Sequence, residues 1–248
     1  MWAIQNGGNP SEDTCAKAAL GGHLHVLKYL RENGCNWNSK TCAAAASRNH
    51  FALLQWARDN GCEWDSKTTI GAAESGNLEM LKWIIDNGCQ PDRDLFQTAA
   101  ERENIDMLNY IHSIKNYRWY GTDLQISVRK GKMASLRWAI DTGLELKSYL
   151  CSAAAEGGQL EVLKFLRSVK CPWDSMATAT AAQFWHLEVL QWLRENDCPW
   201  DEKTTSWTNS LKVFKWAIEN GCPFDKEKWL KDPSYKPKDL KDFVLQLK

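Results

Sequence analysis

The sequence has no excess charge of either sign: 31 Lys and Arg balance 31 Asp and Glu over 248 residues. A balanced chain has no general attraction to a polyanion or an anionic lipid surface, so nucleic acid and membrane are set aside as expected partners, although local patches can depart from the mean. No apolar run approaches the ~20 residues that cross a bilayer. The segment Met1-Trp2-Ala3-Ile4-Gln5-Asn6-Gly7 lacks the basic stretch and apolar core of a signal peptide. The expected compartment is the cytoplasm, with the nucleus as alternative. Catalytic and metal motifs are missing too. There is no Cys-x-x-Cys, no His-Glu-x-x-His, no Gly-x-Ser-x-Gly and no Gly-x-x-x-x-Gly-Lys. The chain is therefore read as a non-enzyme, with no catalytic residue, cofactor or metal ligand expected.

What is present is a repeat. Residues 14–40, 41–67 and 68–94 align without a gap at a period of 27, as do 150–176 and 177–203. Residues 95–122 carry one extra residue, 123–149 keep the length but little of the pattern, and 204–227 lack three. The sixteenth place of every unit is aromatic: Tyr29, Trp56, Trp83, Tyr110, Trp138, Phe165, Trp192 and Trp216. Trp37, Trp64, Trp173, Trp200 and Phe224 form a second bulky column. The nine cysteines fall into two more columns: Cys35, Cys62, Cys89, Cys171, Cys198 and Cys222, then Cys15, Cys42 and Cys151.

Within a unit, the alanine-rich stretch such as Thr41-Cys42-Ala43-Ala44-Ala45-Ala46 predicts a first helix. Asn38, Asp65, Asp174 and Asp201 stand where its N-cap belongs. A turn at Gly22-His23 or Asn49-His50 leads to a second helix, in which Leu160, Val162, Leu163 and Leu166 keep the 3.6-residue period. Asn33-Gly34 and Asn60-Gly61 end it with a glycine C-cap. Such a pair cannot bury both its faces alone, so the pairs must stack. The aromatic columns are expected in the core, where one Trp buries roughly 150–250 Å². His23, His50 and His186 recur in the turn and are expected to brace it, while His25 and His112 stand alone. The cysteines are expected to be small buried hydrophobes. Neighbours within a column lie ~8–10 Å apart, one helix spacing, beyond the ~7 Å of a disulfide; a contact between columns stays open.

One stretch departs from the pattern. From His112 to Arg137 the bases Lys115, Arg118, Arg129, Lys130, Lys132 and Arg137 face one acid, Asp123. Tyr117, Arg118, Trp119 and Tyr120, with Arg129, Lys130 and Lys132, form a candidate partner-binding set, since bases among aromatics suit an acidic protein or, less well, a nucleic-acid strand. The two groups lie ~10–15 Å apart along a helix at 1.5 Å per residue, which makes one surface rather than one pocket.

The repeats resemble the ankyrin family. Residues Ala153-Ala154-Ala155-Glu156-Gly157-Gly158-Gln159-Leu160-Glu161-Val162-Leu163-Lys164-Phe165-Leu166 look like that family's first helix, turn and second helix, and Gly22-His23-Leu24 keeps its turn. The ankyrin unit is usually ~33 residues with a β-hairpin finger. Here Cys171-Pro172-Trp173-Asp174 stands in the finger's place, as in short-repeat arrays of protists, algae and large DNA viruses. The resemblance implies an all-α solenoid of stacked helix-turn-helix pairs with shortened or absent hairpins, and a scaffold or adaptor that binds a protein partner. In a viral source the compartment would be the host cytoplasm. A structural component of a virion or organelle particle is the alternative.

Three segments are expected: a half repeat at 1–13, eight repeats at 14–227, and a capping segment at 228–248 with Leu240, Phe243, Val244 and Leu247 on one helix face. Trp2-Ala3-Ile4-Gln5-Asn6-Gly7 matches Trp216-Ala217-Ile218-Glu219-Asn220-Gly221, so the N-terminal edge is expected to be open and prone to self-association.

Overall fold

A short polar side chain opens each regular repeat. Asn38, Asp65, Asp174 and Asp201 hold an extended backbone, and their side-chain oxygens accept the backbone N–H of Lys40, Lys67, Met176 and Lys203. Each bond satisfies one of the donors that a helix start leaves orphaned. The outer carboxylate oxygen then serves the neighbouring repeat: Ser39 Oγ donates to Asp65 at 2.8 Å and Ser175 Oγ to Asp201 at 2.8 Å. Local capping and repeat-to-repeat bonding thus share one side chain.

The computed structural model describes residues 11–115, 118, 120–231 and 236–247. Among them are eighteen α-helices and no strand. Residues 1–123 and 124–248 form two compact units. The first holds four pairs: α1 Glu12–Leu20 with α2 Leu24–Glu32, α3 Ser39–Ser47 with α4 Phe51–Asp59, α5 Ser66–Ser75 with α6 Leu78–Asp86, and α7 Asp94–Glu101 with α8 Ile105–Ser113. The second holds α9 Gln125–Arg129 with α10 Met133–Asp141, α11 Ser148–Glu156 with α12 Leu160–Ser168, α13 Ser175–Gln183 with α14 Leu187–Glu195, and α15 Glu202–Trp207 with α16 Leu211–Glu219. Two further helices, α17 Lys226–Lys231 and α18 Lys238–Gln246, complete it. The expected half repeat lies almost wholly outside the described residues, as do Pro233, Tyr117 and Trp119.

In each unit the pairs stack in chain order, the construction of a helical-repeat solenoid. First helices make the close approaches: α1 on α3 on α5 on α7, and α9 on α11 on α13 on α15. Small side chains allow this; Ala45, Ala46, Ala72, Ala73, Ala154, Ala155, Ala181 and Ala182 are fully buried. The closest approach is at Gly157, where an added Cβ would lie 1.8 Å from the Arg129 carbonyl oxygen. Second helices bury leucines on the facing side, among them Leu27, Leu54, Leu81, Leu108, Leu136, Leu163 and Leu190. The last two helices close on one cluster, in which Phe214, Trp229, Leu240 and Val244 are buried and Phe243 and Leu247 pack alongside.

The expected place of the aromatic columns is corrected. Of the eight sixteenth-place residues only Trp138 is buried; the others are half-buried. The apolar stripe of such a helix spans little more than ~100°, and leucine, valine and alanine fill its centre. The aromatics sit on its margin and pack edge-to-face on the second column of the preceding repeat. Trp37 meets Trp56 at 5.7 Å, Trp64 meets Trp83 at 5.6 Å, Trp173 meets Trp192 at 5.9 Å, and Trp200 meets Trp216 at 6.1 Å between ring centroids. In four repeats an arginine from the end of the second helix covers the outer Trp: Arg31 on Trp37, Arg58 on Trp64, Arg167 on Trp173 and Arg194 on Trp200, at 4.0–4.3 Å. The same guanidinium donates to the carbonyl of Cys35, Cys62, Cys171 or Cys198. Stacking and capping therefore tie each loop to its helix end.

Two first helices are short, with five residues in α9 and six in α15. A helix that short gains little from its own hydrogen bonds. Hydrogen exchange is expected to be fastest, among first helices, in α9 and α15. Protection there equal to that of α3 or α13 would show that packing alone sets local stability.

Candidate interaction surface

In seven of the eight pairs the chain reverses between helices in a turn that holds one residue in the left-handed region. Gly22, Asn49, Gly76 and Glu103 supply it in the first unit, with φ between 55° and 75°. In the second unit the place is held by Gly131 at 75°, Gly158 at 69° and Trp185 at 66°. The following residue braces the turn against the preceding repeat. His50 Nε2 lies 3.2 Å from the Leu20 carbonyl oxygen, and His186 Nε2 lies 3.0 Å from that of Glu156. Two of the recurrent histidines thus act as turn braces, and Asn77 does the same through Asn49 at 2.7 Å.

Trp185 is out of keeping with this column. A left-handed conformation costs a non-glycine residue about 1–2 kcal/mol. Its indole is 62% exposed and the adjacent Phe184 ring is 45% exposed. An aromatic pair offered to water from a strained backbone is a functional signal, because packing gives no return on the strain. The sequence carries that signal as an aromatic in a column otherwise held by Gly, Asn and Glu.

The turns of residues 124–248 form one edge. The Arg129 guanidinium pairs with Glu156 at 2.7 Å, joining the first turn to the second, and His186 joins the third to the second. Along this edge lie the exposed Lys130, the half-exposed Lys132, then Phe184 and Trp185. Of the residues picked out from sequence, Arg129, Lys130 and Lys132 therefore fall on this edge, with Arg129 engaged by Glu156. Arg118 and Tyr120 are exposed and belong to residues 1–123. There Arg93 pairs with the buried Asp123 at 2.5 Å, and Asp123 accepts the Tyr120 N–H at 2.7 Å, so the one acid of the stretch is structural. Arg137 stacks on Phe165 at 4.1 Å and is structural as well. Among the described residues no cluster of three or more His, Cys, Asp or Glu is placed to hold a metal, and no helix is long and apolar enough to cross a membrane.

No family model matches the chain, and no curated protein matches it. Among solved structures it is similar to the pentatricopeptide repeat protein PPR10, described as a crystal structure in complex with an 18-nt psaJ RNA element. That match has 14% identity and a TM-score of 0.49, over 89% of this chain and 40% of the other. The chain thus spans less than half the length of the protein it matches. The similarity is one of helical-repeat architecture, and an ankyrin assignment finds no separate support in it. It does correct one expectation: nucleic acid, set aside on net charge, no longer stands excluded when a matching repeat protein is described in complex with RNA.

Proposed function

We propose that the chain is an ankyrin-like binding scaffold that engages a protein partner through the turn edge of residues 124–248, in the cytoplasm and without catalysis. The observation that carries this reading is the Phe184–Trp185 pair, exposed on a left-handed turn. Tryptophan dominates interface hot spots because a large rigid ring gains contact at little entropic cost. Lys130 and Lys132 lie two repeats away, roughly 16–20 Å at 8–10 Å per helix spacing, a span that one standard interface covers. The partner surface should then carry an apolar pocket with acidic groups to one side.

The test compares the full chain with a Phe184→Ser, Trp185→Gly variant, each immobilised and exposed to lysate with and without nuclease treatment, with bound proteins quantified by mass spectrometry. A stoichiometric partner reduced about 10-fold or more on the variant is the expected result, in line with loss of hot-spot contacts. Identical protein sets on both would sink the reading, and captured protein that vanishes on nuclease treatment would assign the edge to nucleic acid. The single change Trp185→Gly is expected to raise stability by about 1–2 kcal/mol, since glycine takes the left-handed conformation freely. Urea denaturation checks this, and it separates lost binding from lost folding.

A further inference from the structure

In three repeats both column places are cysteine, twenty residues apart. Cys15 Sγ lies 3.3 Å from Cys35 Sγ. Cys42 and Cys62, and Cys151 and Cys171, hold the same two places in their repeats, and within each pair the two thiols perturb one another's ionisation. All six thiols are reduced and buried. The second-column thiol also donates to the N-cap carbonyl of its own repeat: Cys35 to Ser11 at 3.3 Å, Cys62 to Asn38 at 3.4 Å and Cys171 to Lys147 at 3.5 Å. That bond explains the second column, which recurs in Cys89, Cys198 and Cys222. It leaves the first column unexplained. In those three repeats the first-column place is Thr69, Thr178 or Thr205, so the fold does not need sulfur there.

We propose that Cys15–Cys35, Cys42–Cys62 and Cys151–Cys171 are oxidation sites at which a hydroperoxide closes a disulfide that staples each first helix to the loop after its second helix. The gap to close is small, from 3.3 Å at Cys15–Cys35 to the ~2.05 Å of an S–S bond. The second-column sulfur attacks first. The neighbouring Cys42 thiol lowers the Cys62 thiol, with the Arg58 guanidinium adding to this; Cys151 and Arg167 lower that of Cys171 in the same order. Burial holds the Cys15 thiol up at about 12. The thiolate takes one peroxide oxygen, the O–O bond breaks, and hydroxide leaves to become water with the thiol's own proton, giving a sulfenic acid. The first-column sulfur then attacks that sulfur, and the sulfenic oxygen leaves as water with the second thiol proton. Two thiols and one peroxide become one disulfide and two waters. Because the thiols are buried, the reaction proceeds through local opening of the loop.

The full folded chain is treated with hydrogen peroxide, alkylated, and mapped by peptide mass spectrometry. The expected result is loss of six of the nine thiols, three bridges joining residues 15–35, 42–62 and 151–171, and alkylated Cys89, Cys198 and Cys222. Dithiothreitol should restore all nine. The variant Cys15→Thr, Cys42→Thr, Cys151→Thr, which places the neighbouring repeats' own residue at each site, should fold and form no bridge. Oxidation should raise the unfolding midpoint of the natural chain and leave that of the variant unchanged. Scrambled bridges involving Cys89, Cys198 or Cys222, or six intact thiols under peroxide that fully oxidises the urea-unfolded chain, would overturn the proposal.

Discussion

Truncating Phe214 to alanine is expected to cost about 3–5 kcal/mol, the usual range for a fully buried aromatic. Phe214 has no exposed surface and is the hub of the C-terminal cluster, with Phe224 at 5.2 Å, Trp229 at 5.8 Å and Phe243 at 6.2 Å between centroids. The cavity would open between α16, α17 and α18, and the last two helices would lose the surface they cover. Trp216, two residues along α16, is the larger ring but only half-buried. Its alanine variant is expected to cost about 1–2 kcal/mol, most of it the edge contact with Trp200. Urea titrations of both variants decide the matter. A Trp216 loss equal to the Phe214 loss would return the aromatic column to the core, where periodicity alone places it.

Gly157→Ala should be as damaging, for a steric reason. Gly157 has φ of −85°, a conformation alanine adopts without strain. The added methyl would meet the Arg129 carbonyl carbon at 2.7 Å as well as its oxygen at 1.8 Å, and backbone cannot turn aside as a side chain can. Forcing α9 and α11 apart would also stretch the Arg129–Glu156 pair. The expected cost is about 3 kcal/mol or more, at the top of the range for overpacking. Gly143→Ala is the control. That residue has φ of 96° and no atom near its missing Cβ, so alanine there meets only the dihedral penalty of about 1–2 kcal/mol. Equal or greater loss at Gly143 than at Gly157 would show that α9 and α11 yield at little cost.

Much of the fold was legible because its causes are local. Asn38, Asp65, Asp174 and Asp201 cap helices by reaching two residues along the chain, and spacing is enough to reveal that. The His50 and His186 braces were legible from recurrence, although their acceptors, thirty residues back, were not. Depth was misjudged. The sixteenth-place aromatics share a helix face with leucines, and a 3.6-residue period gives direction around a helix without telling centre from margin. Leu54 and Trp56 are only two residues apart, and only the packing of the neighbouring pair sends the first inside and leaves the second on the rim.

By itself the sequence determined the period, the helix-turn-helix unit, the all-α class and the caps, because these rest on hydrogen bonds and propensities within about one repeat. Tertiary structure decided what depends on two distant segments arriving at one place. It brought Cys15 against Cys35 and left Cys89 beside a threonine repeat. It divided the basic and aromatic stretch, giving Arg129 a carboxylate on the next first helix and Asp123 an arginine from thirty residues earlier. It also left Trp185 exposed on its turn, with no brace residue from a following repeat over it among the hydrogen bonds and ring contacts of the described residues. The physical reason is the same in each case: side-chain identity sets what a residue can bond or bury, while the stacking of one repeat on the next sets which partner, and how much water, it meets.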